Sequence, residues 1–552
     1  MTVTETILSG VPASVPSPTL SRGERLLVAA LALISILPIW AAEWFPSQNG
    51  PWFLLPTHMF LHYDDPRWDY QEHFVRVWQP IPHMLHDILV GLAALAVPLQ
   101  TAEKLVLTLN ALLLPASVFA VLSVAAPQRQ ILGLLAFPMM LSYPFFRGYH
   151  DFTLSIPLFF FSLTMWWKTR TTWNAGHLVG LLALTTLTWL SHLFTFALLA
   201  GCIGWLELWN SGRLGRACLT TLSVTWPGWL LTANYIRLSS GATWVRPSDT
   251  SWLPLHWTVE NFIRQYFHSI STPAYVLAVL AWIWLAVLAI RGWRASGKSI
   301  ASAVRSTLGS PLGSLVVFLA VAYLVLPDKL IGWHKVNIRL TPFILGLALA
   351  AVASLPALSL TRRWRRTFIT TVSMLTIGIS TCLTPEVRAM GAVIQEYRSG
   401  IPHLPQGARV LVVHSANPRF GQVRPVTRAH EHYHIERGGA NLYSLPALNT
   451  LSIMWYRQYP VENRLPRWDS RSGRFSAELQ QAYDAVLMFG APDELATLVV
   501  NSGFDAVHRQ GRLALYLKTR PNELRAALEP ELLPVAVDEQ HELPAFQQPT
   551  ID

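Results

Sequence analysis

Long apolar runs, recurring almost without charge, constrain this chain more than any other feature of its sequence. They fall at about 26–44, 104–126, 130–146, 152–167, 175–190, 192–209, 217–236, 273–290, 313–327, 339–358 and 367–384. Most approach the roughly 20 residues that a helix needs to cross a bilayer. Only 13% of the 552 residues are charged, where a soluble domain carries roughly a quarter. The pattern predicts a polytopic α-helical membrane protein with about 11 transmembrane helices. The net charge of +10 is no nucleic-acid signal, because the arginines lie between the apolar runs, where they set orientation. Cys202, Cys218 and Cys382 offer neither a disulfide framework nor a CxxC metal site. Residues 1–24 are rich in Ser, Pro and Thr and read as a disordered cytoplasmic N-terminus. No small-residue cleavage site follows the first run, which is therefore expected to be a retained helix.

The short apolar segment 83–99 decides the topology. If it spans, Lys168, Arg170 and the cations after them fall outside. If it lies in the interface or re-enters, Arg22, Arg25, Arg129, Lys168, Arg170, Arg213 and Arg216 all face the cytoplasm, as do the basic clusters at 291–305 and 362–366. The positive-inside rule selects the second arrangement. The transmembrane domain then covers 25–384, with an acidic first outer loop at 46–102. Beyond it the composition shifts. ARVLVVHSA (408–416), DAVLMFGAP (484–492) and GRLALYLK (511–518) read as strands, and DELATLVVNSG (493–503) as a glycine-stopped helix. This predicts an extracytoplasmic α/β domain over 385–532, followed by a flexible tail at 533–552.

Polar residues on the outer side are the candidates for chemistry. The first loop crowds Asp64, Asp65, Asp69, Glu72, His73 and His83 among aromatic residues. Transfer to a hydroxyl needs a carboxylate to accept a proton and often a second group to hold a metal or the acceptor. Asp64 or Asp65 fits the first role. The other reading is a solvated acidic loop with Trp68, Tyr70 and Trp78 at headgroup level. Lys329, His334, Lys335 and Arg339 stand on a side where the positive-inside rule expects few cations, and together suit a lipid phosphate. Arg147, His150 and Asp151 join two apolar runs, either lining the same cavity or simply capping the next helix. His192 sits in a hairpin, where a structural histidine is the common case. His430, His432 and His434 would share one face of a strand and could bind a metal, but no further ligand completes a site. GxGxxG, Walker A and GxSxG patterns are absent.

Taken together, these segments resemble the GT-C superfamily, integral-membrane glycosyltransferases that use lipid-phosphate-linked sugars. PIPHMLHDILVGLAALAVPLQTAEKLVL (80–107) looks like the family's non-spanning juxtamembrane segment, RGYHDF (147–152) like its second outer motif, and HKVNIRLTPF (334–343) like its late basic turn. The resemblance covers 25–384. It implies a glycosyltransferase in a bacterial inner membrane, with the N-terminus cytoplasmic and the C-terminal domain periplasmic. Such an enzyme would move a sugar from a polyprenyl-phosphate donor to an outer acceptor. Asp64 or Asp65 would be its base. His73, His83, Arg147, His150, Asp151, His192, Lys329, His334, Lys335 and Arg339 would contact substrate. One departure stands out. The family pattern implies Asp-Gly-Pro followed by His, where this chain has Asn49-Gly50-Pro51 and Phe53. Hence the alternative of a catalytically inactive scaffold whose outer domain docks a protein partner. No cofactor is specified, although the carboxylates leave room for a divalent metal ion. Expected partners are membrane lipids and the lipid-linked donor, not nucleic acid.

Overall fold

The computed structural model describes residues 20–68, 70–239, 250–330, 333–439, 452–456 and 477–519. Asp69, most of the N-terminal segment expected to be disordered and the tail at 533–552 lie outside the described residues.

Apolar runs fold as helices, and the chain is a polytopic membrane protein with a C-terminal sheet region. Among the described residues, five helices are long and apolar enough to cross a membrane: Arg22–Trp40, Leu99–Ala125, Leu193–Ser211, Thr272–Ala295 and Arg362–His403. Others stand beside them, among them His150–Thr169, Ala175–Ser191, Leu214–Ser239, Pro311–Val325 and Thr341–Ala353. The Leu99–Ala125 helix is the hub. It packs on His150–Thr169, on Leu85–Ala94 and on the 3-10 segment Pro127–Met139.

Two sequence expectations change in form. The run at 130–146 is no single helix: Pro127–Met139 is 3-10, and a five-residue helix Tyr143–Arg147 follows. Pro138 and Pro144 each remove a donor that an α-helix would need. The expected boundary at 385 also falls inside an element, because one helix runs unbroken from Arg362 to Arg398 past Pro385. Val387, Met390, Ile394 and Tyr397 on its later turns are buried, so packing holds the helix together where apolar composition ends. The segment at 83–99 carries the ten-residue helix Leu85–Ala94. Its rise of about 15 Å is half a bilayer's hydrocarbon thickness.

The strands are β1 (Phe74–Arg76), β2 (Lys329–Leu330), β3 (Trp333–His334), β4 (Val410–His414), β5 (Met454–Tyr456), β6 (Ala485–Phe489), β7 (Phe504–Gln510) and β8 (Leu513–Lys518). The C-terminal sheet has the order β4-β6-β8-β7, with β4 and β6 parallel and the other pairs antiparallel. One face, with Leu411, Val486 and Tyr516, packs on the Asp493–Asn501 helix. The other shares a core with Leu54, Leu55 and Met59 of the first-loop helix Gly50–Leu61 and with Ile394 and Tyr397 of the long helix. Loop, long helix and sheet thus bury one another. The antiparallel pair β1–β5 adds a second tie between the first loop and the C-terminal region.

Polar contacts gather at two ends of the helical body. At one, Glu24 accepts two hydrogen bonds from Arg365, at 2.7 and 2.9 Å. There too Arg216 pairs with Glu207 at 2.8 Å, and Arg129 donates to the Leu355 carbonyl at 2.9 Å. The segments 47–51, 83–87, 147–151, 191–192 and 333–339 meet at the other.

Candidate active site

The site begins with two turns nested backbone to backbone. Gln48 N donates to the Phe146 carbonyl at 3.0 Å and Asn49 N to that of Arg147 at 3.1 Å. Gly148 makes this possible. Its φ is +83°, and a Cβ there would stand 2.8 Å from Gly50 N and 2.9 Å from Asn49 N. Any side chain would strain the backbone and collide with it. Gly50 is confined in turn, since its Cβ would meet Ser47 Oγ at 2.2 Å, Glu103 Oε1 at 3.0 Å and His150 Cε1 at 3.5 Å.

The Leu85–Ala94 helix adds the second layer. His86 N donates to Asp151 Oδ1 at 3.2 Å, and the rings of His86 and His150 are 4.9 Å apart. Asp87 is engaged by Thr57. Ser191 Oγ donates to the Asp151 carbonyl at 2.7 Å, and Asn110 Nδ2 to that of His150 at 3.2 Å. His86, Asp87, Glu103, His150 and Asp151 are all buried. Three carboxylates and two imidazoles in so small a buried volume are costly unless something polar meets them.

Beside this lies a cationic layer. Arg339 is 8% exposed. Its Nη1 donates to His192 Nε2 at 2.9 Å and its Nη2 to the His334 carbonyl at 3.4 Å. Its guanidinium lies 5.6 Å from the Tyr149 ring, 5.7 Å from Phe152 and 5.6 Å from Trp333. His83 packs against His192 at 4.7 Å and Trp333 at 5.4 Å. Burial, with the Arg339 charge adding to it, pushes the His83 imidazole down to about 3. His83 and Lys335 hold positive φ, 76° and 60°, a conformation uncommon outside glycine. The surrounding layer over-determines it.

Thus His83, Arg147, His150, Asp151, His192, His334 and Arg339 converge, with Lys335 half-buried beside them. Asp64, Asp65 and His73 stand apart. Asp64, with 70% of its side chain exposed, pairs with Arg76 at 2.7 Å. Asp65 pairs with Arg67 at 2.6 Å, and Arg67's hydrogen bonds hold its carboxyl down at about 2. His73 is exposed. Lys329 faces His334 across the β2–β3 pair and exchanges backbone hydrogen bonds with Ser251. Sequence reading left out His86, Asp87 and Glu103 as site residues. The signal for them was charge inside a short apolar segment, at His86-Asp87, and at Glu103-Lys104.

The C-terminal region closes one side. Arg424 N donates to Gln48 Oε1 at 3.0 Å, and the Arg428 guanidinium lies 4.5 Å from the Trp52 ring. His432 and His434, expected with His430 on a strand, instead lie in the helix Glu431–Arg437, which His430 precedes and which packs on Gly50–Leu61. Spacing of two suits a strand face, but burial of Tyr433 and Ile435 favours the helix here. His432 packs on Trp44 at 4.6 Å, while His434 Nδ1 faces the Gly438 carbonyl at 2.9 Å. Among the described residues, no group of three or more His, Cys, Asp or Glu side chains is arranged to hold a metal ion.

No family model matches this chain, and no curated protein matches it. Solved structures do. ArnT from Cupriavidus metallidurans bound to undecaprenyl phosphate aligns with a TM-score of 0.54 and 12% identity, over 90% of this chain and 98% of that one. The apo state of the same protein aligns with a TM-score of 0.50 and 12% identity, over 89% and 97%. At such identity the likeness is one of fold. The chain shares its fold with that membrane protein.

Proposed function

We propose that this chain is a membrane glycosyltransferase that moves a sugar from a polyprenyl-phosphate donor to an acceptor hydroxyl. The observation that carries the reading is Arg339: a buried guanidinium, oriented by His192 and walled by Tyr149, Phe152 and Trp333, beside a buried group of carboxylates. A guanidinium held this way suits a phosphate, which it binds through paired N–H donors. Lys335 and His334 extend the same surface. The leaving phosphate would meet fixed cations, and positioning would supply most of the catalysis. The fold is shared with a protein whose structure holds undecaprenyl phosphate, which supports this donor class. With the arginine-rich end of the helices cytoplasmic, the site and the C-terminal sheet face outward, in a bacterial inner membrane.

A second reading keeps the fold without the chemistry. Asn49 favours it, since a primary amide cannot accept a proton, and so do the exposure of Asp64 and the pairing of Asp65 with Arg67. The chain would then be a scaffold or accessory subunit holding a protein partner through its C-terminal region. Native mass spectrometry of gently extracted protein separates the two. The transferase reading expects a retained polyprenyl phosphate that is lost in Arg339→Ala. Ordinary phospholipid alone, with a stoichiometric protein partner, would replace it with the scaffold.

A further inference from the structure

We propose that Glu103 is the proton acceptor of the transfer, facing a polar chamber against the Asn49–Gly50 turn. The proposal rests on the transferase reading above. Glu103 sits near the start of the Leu99–Ala125 helix and is 1% exposed. Its Oε1 has no hydrogen-bond partner in the protein. Neither do Ser47 Oγ, either ring nitrogen of His86, or Oδ1 of Asp87. Buried polar atoms in native proteins are nearly always paired. Here Ser47 Oγ, Glu103 Oε1 and the unpaired His150 ring meet at Gly50, and the His86 ring lies 4.9 Å beyond His150.

A glycine admits this close approach. A Cβ on Gly50 would stand 2.2 Å from Ser47 Oγ and 3.0 Å from Glu103 Oε1, so any larger residue would occupy the space where hydroxyl and carboxylate point. The neighbouring cation turns away, with Lys104 Nζ donating to the Ala42 carbonyl at 3.3 Å and lying 5.0 Å from the Trp40 ring. The other nearby carboxylates have work of their own. Asp151 holds the start of the Leu85–Ala94 helix through His86 N, and Asp87 is engaged by Thr57. Groups of this kind, hydroxyl, carboxylate and imidazole, recognise hydroxyl-bearing molecules such as sugars and their acceptors.

In the step, the acceptor O–H bond breaks and its proton passes to the Glu103 carboxylate. The acceptor oxygen bonds to the anomeric carbon as the bond from that carbon to the phosphate oxygen breaks. The lipid phosphate leaves with the electron pair, on the side of Arg339.

The test uses full-length protein in nanodiscs of bacterial polar lipid. The probes are undecaprenyl-phosphoryl glucose, galactose, mannose and arabinose, with a membrane extract as acceptor. Donor binding and release of undecaprenyl phosphate are read separately. Glu103→Gln is expected to bind donor as the wild type does and to lose release by about 100-fold or more, the range of a general base. Gly50→Ala should do the same by filling the chamber. Added formate should restore part of the release in Glu103→Ala, which a structural role would not allow. Donor bound and released normally by Glu103→Gln overturns the assignment while leaving the transferase reading intact. So does a loss that formate cannot restore, or weaker donor binding in Glu103→Gln. Wild-type protein that binds none of the probes, or releases none of those it binds, overturns both.

Discussion

Arg339 donates a hydrogen bond to Nε2 of His192 at 2.9 Å, joining the 333–339 turn to the hairpin between Ala175–Ser191 and Leu193–Ser211. The geometry requires His192 to be neutral, with its remaining proton on Nδ1, which faces Thr195 Oγ1 at 3.5 Å. A guanidinium fixed in this way spends little side-chain entropy when a phosphate arrives. His192→Ala should therefore weaken undecaprenyl phosphate binding by about 10- to 100-fold, the worth of one hydrogen bond to a charged group. Arg339→Lys should weaken it further, because an ammonium cannot reproduce the planar fork. Microscale thermophoresis in detergent checks both. Wild-type affinity in either variant would remove the phosphate from this position.

Gly148 predicts a stability effect. Alanine at φ +83° costs about 1–3 kcal/mol for the backbone alone, and its Cβ would stand 2.8 Å from Gly50 N. Gly148→Ala should lower the thermal midpoint and separate the Arg147 turn from Asn49, with loss of donor binding. Gly23→Ala, with nothing within 4 Å of its Cβ and a helical position, should match or exceed the wild type. Equal midpoints for the two variants would contradict the nested-turn geometry.

The ion-paired loop acids predict the reverse. Asp64 and Asp65 pair only with Arg76, Gln71 and Arg67 among the described residues. Asp64→Asn and Asp65→Asn should retain donor binding and turnover within about 2-fold, as surface pairs contribute little. Loss of turnover with a folded protein in either variant would restore the loop aspartates as the base.

The seam between the first loop and the C-terminal region predicts acid sensitivity. Burial, helped by the His62 charge, pushes His58 down to about 3. Burial, helped by His430 and Arg428, does the same to His414, also to about 3. His414 Nε2 lies 2.8 Å from Tyr397 OH. Unfolded imidazoles take up protons near pH 6.5, so below that pH the undocked state binds more protons than the docked one. Each histidine's stabilisation is complete above 6.5 and falls by about 1.4 kcal/mol per pH unit as the pH drops towards 3. Hydrogen exchange of β4 and β6 at pH 7, 6 and 5 should show progressive loss of protection. His414→Gln should flatten that dependence, and an unchanged slope would show that the seam does not hold His414 neutral.

Legibility followed the physics of each element. Near-continuous apolar stretches announced β4, β6 and β8, which pack on both faces. β7 was missed because FDAVHRQ is an edge strand whose Asp505 and Arg509 are exposed, leaving little pattern to read. The β1–β5 pair spans three residues per strand and joins segments far apart in the chain, and no local signal carries such a register. In the site, His150, Asp151, His192 and Arg339 stood out as polar residues ending apolar runs. Glu103 did not, since what marks it is the Asn49–Gly50 turn lying beside the helix, and only the fold supplies that contact.

A structure of the protein with added undecaprenyl phosphate tests the central claim most directly. The account predicts the phosphate within hydrogen-bonding distance of the Arg339 guanidinium, beside His334 and Lys335, with Glu103 across the chamber towards the Asn49–Gly50 turn. Lipid phosphate bound elsewhere at saturating concentration, with Arg339 still engaged only by His192 and the His334 carbonyl, would contradict it.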